Sequence, residues 1–271
     1  MRVIKIIKAF IIVLLILVGS PVGFGQDRIN LVDIPTADTL MKGRYFLTFR
    51  FYQEGGLLVR GFAGLTDRLT VGASYGGVNV VGTGAIEGNP EPAFSLKYKL
   101  GEEGENLPFA LSFGYDGQGY GKYYKKGDKL QGKELTESFY QIDSKGFYLA
   151  ASKELKNLHA TVHGGINYSL KDHPAKPGIS FFLGTRFEAT PKLILKLEYN
   201  NGFYKEIKWE DVLKDASDLE GNLRKAGGEI NLGVQIKYTE GLSLELAFKD
   251  LSNRYTESGN RIFQITYSGG F

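Results

Sequence analysis

The sequence contains no cysteine. That excludes a disulfide framework and a thiolate metal site, and it excludes a lipid attached to an N-terminal cysteine. Beyond the first twenty residues it also lacks any apolar run of membrane-helix length, which would be roughly 20 residues. Charge of one sign is missing too. Lys and Arg total 33 and Asp and Glu 30, and the three extra cations are Arg2, Lys5 and Lys8. Without them the chain is formally neutral, so nothing draws nucleic acid or another polyanion from a distance.

The first residues are present for a different reason. Arg2, Lys5 and Lys8 precede an apolar run from Ala9 to Val18, and Gly19, Ser20, Gly23 and Gly25 follow. Positive, apolar and small, in that order, is the pattern of a secretory signal peptide. The expected division is a signal peptide at 1–25, a periplasmic lead-in or plug at 26–42, and one barrel at 43–271. The lead-in has no sustained period, and Pro35 excludes a central strand there.

From 43 onward, apolar and polar residues alternate in twelve segments: 43–52, 57–66, 69–80, 92–100, 107–116, 145–153, 159–169, 178–188, 192–200, 228–239, 241–250 and 261–271. Their length suits tilted membrane strands, which need about 9–11 residues. Ordinary strands are about half as long. Connections after even-numbered segments are short, and most of those after odd-numbered segments are long. Short turns on one side and long loops on the other predict an all-β, antiparallel up-and-down transmembrane barrel.

The apolar phase sharpens that expectation. Phe49, Val71, Leu96, Leu111, Val162, Phe181, Leu195, Leu232 and Leu244 belong to it, and no charge interrupts the runs around them. A charge at mid-bilayer would cost about 2–4 kcal/mol. Rings close the runs at both ends, for example Phe51, Tyr115 and Tyr199 on one side and Tyr98, Phe187 and Tyr238 on the other, as at two membrane–water interfaces. The opposite phase supplies candidate lumen residues: Arg50, Lys97, His159, His163, Arg186, Lys196, Glu198, Lys237, Glu245 and Lys249.

The final segment, 261–271, ends on Phe271 after Phe263, Ile265 and Tyr267 in one phase. It resembles the terminal strand of bacterial outer-membrane barrels. The resemblance implies an integral outer-membrane protein with extracellular long loops and periplasmic termini. It further implies contact with membrane lipids and lipopolysaccharide, and recognition of the last strand by the barrel-assembly machinery. Oligomeric state is not readable. A second resemblance rests on Ile34-Pro35-Thr36-Ala37, Gly43 and the run from Gly64 to Gly72 (GLTDRLTVG). These are similar to uncharacterised YjbH-type barrels, which are associated with exopolysaccharide export.

Chemistry is sparse. His159 and His163 share a face in an extended strand, but their Cα atoms would stand about 13 Å apart. One ion cannot bridge that, so polar lumen residues are the better reading and no cofactor is expected. A barrel hydrolase would need a Ser–His pair on the lipid-facing wall, whereas these histidines face inward and His173 falls in a loop. Loop 117–144 is basic and tyrosine-rich. Loop 201–227 carries Val212, Ala216, Leu219 and Leu223 at helical spacing, which predicts an amphipathic helix that caps the mouth or lies on the membrane. The expected function is a small channel for polar solutes. A non-conducting structural or surface-binding barrel is the alternative, and a lipid hydrolase the third reading.

Overall fold

The computed structural model describes residues 28–170, 178–201, 207–225, 227–254 and 261–271. Residues 1–25, His173 and part of loop 201–227 lie outside these, so the signal-peptide expectation falls on residues that are not described.

Twelve strands form the wall. They are β1 Arg44–Tyr52, β2 Gly56–Thr66, β3 Leu69–Val78, β4 Ala93–Gly101, β5 Ala110–Asp116 and β6 Gly146–Leu155. Then come β7 Ala160–Tyr168, β8 Ile179–Glu188, β9 Leu193–Asn200, β10 Glu229–Lys237, β11 Leu242–Phe248 and β12 Arg261–Gly270. Each pairs antiparallel with the next. β12 returns to β1 in register from Arg44↔Gly270 to Phe51↔Phe263, which closes the sheet. Closure leaves no unpaired edge, the condition for a strand structure to sit in lipid.

The period-two pattern makes this wall because one face meets an apolar surround and the other a packed interior. Phe94, Leu183 and Ile179 stand outward and more than half exposed. Rings from neighbouring strands meet on the same face: Phe51 with Phe263 at 6.1 Å and Tyr115 with Phe147 at 5.1 Å. Among the outward charges, Lys153 stands near the end of β6 and pairs with Glu103 of the β4–β5 connection.

Two expectations need correction. His159 is not in β7. It occupies the left-handed region (φ 49°) after the short 3-10 turn Lys156–Leu158, and it is exposed. The turn from β6 to β7 uses it up, so the strand and its phase begin at Ala160. The helix expected in loop 201–227 is only Trp209–Val212 among the described residues. Asp215 (φ 54°) and Gly221 (φ 89°) take positive φ and end helical continuation.

Candidate functional site

The inward phase is not a uniform polar lining. It contains Phe46, Phe62, Tyr148, Phe182 and Ile194, all buried. These side chains have something to pack on, because residues 29–40 lie inside the barrel. Leu31 and Ile34 cluster with Tyr148, Ala150 and Phe182. Ile29 and Leu40 cluster with Phe46 and Phe62, which stack at 4.8 Å. Val32 packs on Ala247 and Ile262. Room is made by small residues in the wall. A Cβ on Gly184 would stand 2.4 Å from Leu31 Cδ1, and one on Gly64 would stand 2.2 Å from the Met41 carbonyl oxygen.

A tight turn shapes the segment. Leu31 N donates to Ile34 O at 2.9 Å, and Thr36 N donates to Ile29 O at 3.0 Å. Pro35, without an N–H, loses nothing there. The turn leaves the N–H groups of Val32, Asp33 and Ile34 converging on one point, and the Glu198 carboxylate of β9 accepts all three at 3.0–3.1 Å. Asn231 also donates to Glu198, at 2.7 Å.

Charge runs the other way at Asp33. Its Oδ1 accepts from Arg50 Nη1 at 2.7 Å, and its Oδ2 faces Lys249 Nζ. Arg50 also donates to Val32 O at 2.6 Å and to Gln264 at 3.1 Å. Lys196 Nζ binds Leu31 O at 3.1 Å and Glu245 at 2.8 Å. Lys97 Nζ binds Ile29 O at 2.6 Å and Thr36 O at 2.8 Å. Lower down, Ala37 N donates to Ser152 Oγ, which lies 2.8 Å from His163 Nδ1. Leu40 N donates to Thr70 Oγ1 at 2.8 Å. Buried charges of this kind persist only when paired and hydrogen-bonded.

The other half of the interior is entered from the long-loop side. Tyr120, of loop 117–144, packs with Leu58 and Ile142, and Tyr52 lies against them. Arg50, Arg60 and Lys249 approach its ring to 5.0, 5.5 and 5.6 Å. Arg60 pairs with Asp116 at 2.7 Å, and Gln118 N caps the same carboxylate at 3.0 Å. Burial pushes the Tyr120 phenol up, so the ring stays neutral among the cations. Beyond it, loops 117–144 and 201–227 share an apolar core. Tyr124, Leu135, Phe139, Ile207, Trp209, Val212, Leu213 and Ala216 are buried there, with Leu219 and Leu223 packed on the outside. Thr136 N donates to Val212 O and Lys214 N to Glu134 O, both at 2.9 Å, which ties the two loops as short strands would be tied.

Of the candidate lumen residues, Arg50, Lys97, His163, Arg186, Lys196, Glu198, Glu245 and Lys249 are buried inside. Seven of these bind the inner segment or its direct partners. Arg186 instead pairs with Glu188 at 3.2 Å. Lys237 lines a cavity of about 770 Å³ at the short-turn end, with Arg28, Asp38, Arg44, Lys192 and Glu240. His159 is outside on its turn. Asp33, Arg60, Asp116, Tyr120 and Ser152 are the participants the alternation did not identify. Inside, the cavity between Arg50, Tyr120, Ile142 and Lys249 measures about 20 Å³. The one between Asn30, Arg60, Asp116 and Tyr148 measures about 10 Å³. Each is the size of a single water at most.

No family model and no curated protein sequence matches the chain, and the YjbH-type resemblance gains no support from either. Among solved structures it is similar to the KdgM porin, with a TM-score of 0.45 and 7% identity over 84% of this chain and 99% of that one. It is similar to the Acinetobacter baumannii outer membrane protein Omp33, with a TM-score of 0.41 and 9% identity over 84% and 97%. It is also similar to the CymD monoaromatic hydrocarbon channel, with a TM-score of 0.41 and 10% identity over 85% and 89%.

Proposed function

We propose that this outer-membrane barrel is a gated channel for small polar solutes, closed by its own N-terminal segment. The carrying observation is the filling of the lumen by residues 29–40. Their anchors are wall-borne side chains, and they are reversible: ion pairs and hydrogen bonds, with apolar contacts between them. A permanently solid barrel has no need of a separate chain segment; it can fill its lumen from its own strands. Withdrawal of 26–42 toward the short-turn end leaves a passage lined by Arg50, Arg60, Lys97, Arg186, Lys196 and Lys249. These outnumber Asp116, Glu198, Glu229 and Glu245, which favours anions.

In this reading the short turns and both termini are periplasmic, residues 1–25 are a cleaved signal peptide, and the long loops meet lipopolysaccharide outside. Phe271, exposed and with its N–H on Gly43 O, is then available to the assembly machinery. A liposome-swelling assay tests the channel. The mature chain should pass arabinose slowly, and the chain without 26–42 rapidly. Equal, fast swelling with both would refute closure by the segment.

The hydrolase reading has one specific observation, the Ser152–His163 contact. It faces inward under Ala37, away from lipid, and serves there as an anchor for the Ala37 N–H. Lipid hydrolysis abolished by His163→Ala would revive it. The non-conducting reading, including one in envelope polysaccharide handling, stands if neither chain passes solute.

A further inference from the structure

We infer that the lumen contains a carboxylate-binding site for small organic acids, made by Arg50 and Lys249 beneath the Tyr120 ring, and that Asp33 occupies it in the closed state. This rests on the proposal that segment 26–42 leaves the lumen.

The cations belong to the wall: Arg50 is in β1, and Lys249 directly follows β11. The carboxylate belongs to the segment. Both of its oxygens are engaged, Oδ1 by Arg50 Nη1 at 2.7 Å and Oδ2 by Lys249. All three side chains are nearly inaccessible to solvent. Each cation keeps a second partner that does not move with the segment. Arg50 Nε donates to Gln264 at 3.1 Å, and Lys249 stands 3.7 Å from Glu229. The site therefore stays formed when Asp33 goes. Arg60 is already matched by Asp116 at 2.7 Å, so the uncompensated positive charge falls on the Arg50–Lys249 side.

The space is continuous with an apolar wall. The 20 Å³ cavity beside Arg50 and Lys249 is bounded by Tyr52, Leu58, Tyr120 and Ile262. Asp33's withdrawal enlarges it on the charged side. A solute with one carboxylate and a less polar body, such as a uronic acid or short organic acid, meets charge at one end and rings at the other. A neutral sugar finds no matching charge there. Glu198, holding three backbone N–H groups, secures the segment without Asp33, so the site can be emptied while the segment remains in place.

The test is chemical rescue in the full mature chain. Asp33→Ala removes the carboxylate and leaves its space. Acetate should bind this variant in micelles, measured by calorimetry at low salt, and raise its thermal midpoint; acetamide should do neither. Asp33→Asn, which fills the space, should not respond to acetate. Adding Lys249→Gln to Asp33→Ala should weaken acetate binding by roughly tenfold or more, as loss of one charge-assisted contact does. Equal response to acetate and acetamide, no response to either, or unchanged affinity in the Lys249→Gln background would overturn the site. Rescue needs no transport. A barrel that binds acetate yet never passes solute would sink the channel and keep the site; a conducting barrel without rescue would do the reverse.

Discussion

The two halves of the interior are held with opposite materials. Residues 29–40, which rise from the short-turn end to the long-loop ends of β1 and β11, are held by Glu198, Arg50, Lys249, Lys196 and Lys97, side chains of the wall and its margin. At the long-loop end, two loops hold each other through Trp209, Leu135, Val212 and their neighbours, and the wall contributes little. The difference lies in how each could open. An apolar core resists partial loosening, because every exposed side chain loses its burial. An ion-paired segment can be exchanged for another ligand of the same charge. On the proposed reading the segment anchored by charge is the gate, and the apolar loop core is a fixed cap that carries Tyr120 into place without sealing the mouth.

The largest effect should come from breaking the charged closure at its centre. Asp33→Ala leaves Arg50 and Lys249 buried with one partner fewer, at a cost of about 3–5 kcal/mol. Bursts of conductance should appear in planar bilayers where the parent is silent. A silent variant with parent-like stability would erase the contrast between the two halves.

Leu135→Ala comes next and probes the cap. It should cost about 2–4 kcal/mol of local stability, seen as faster amide exchange in 130–140 and 209–216. Conductance should stay at the parent level. If it rises, the cap is a second gate.

Glu198→Gln keeps the shape but weakens the acceptor for three N–H groups. The expected loss is about 1.5–3 kcal/mol, with faster exchange at Val32, Asp33 and Ile34 and no change in the cap.

Acid supplies the smallest effect, confined to the cap. The hydrogen bond from Lys133 holds the Asp218 carboxyl below its usual 3.8. A depressed carboxyl stabilises above its unfolded value and loses that contribution as pH falls through the lowered one. Protection of the cap amides near 133 and 218, corrected for the pH dependence of intrinsic exchange, should therefore stay constant from pH 7 to about pH 5 and fall only below the ordinary carboxylate range. Loosening near neutrality would show that this pair is not what ties the loops there.

The wall was legible because lipid imposes a strict rule on every second residue. Leu195, Leu197 and Tyr199 must face out, so Lys196 and Glu198 must face in. What the inward residues meet obeys no such rule. The inner segment has no period, and its anchor Glu198 is 164 to 166 positions away in sequence. Phe46, Phe62 and Phe182 were the available signal, since large rings in a phase that should be polar mark a surface that packs on something. Loop 201–227 failed in a different way. Val212, Ala216, Leu219 and Leu223 do face one core, yet the backbone between them turns at Asp215 and Gly221. Helical spacing there reported shared burial without a shared helix. His159 was lost to the same cause at smaller scale, a turn that took one residue from the start of a strand.

The most direct test of closure by the inner segment is single-channel current through two refolded proteins, the mature chain and the chain lacking 26–42, each shown to be folded by its heat-dependent gel mobility. The mature chain should be silent or open only in rare bursts. The shortened chain should conduct steadily and prefer chloride over potassium. Steady current of equal size through both, or silence from a folded shortened barrel, would contradict it.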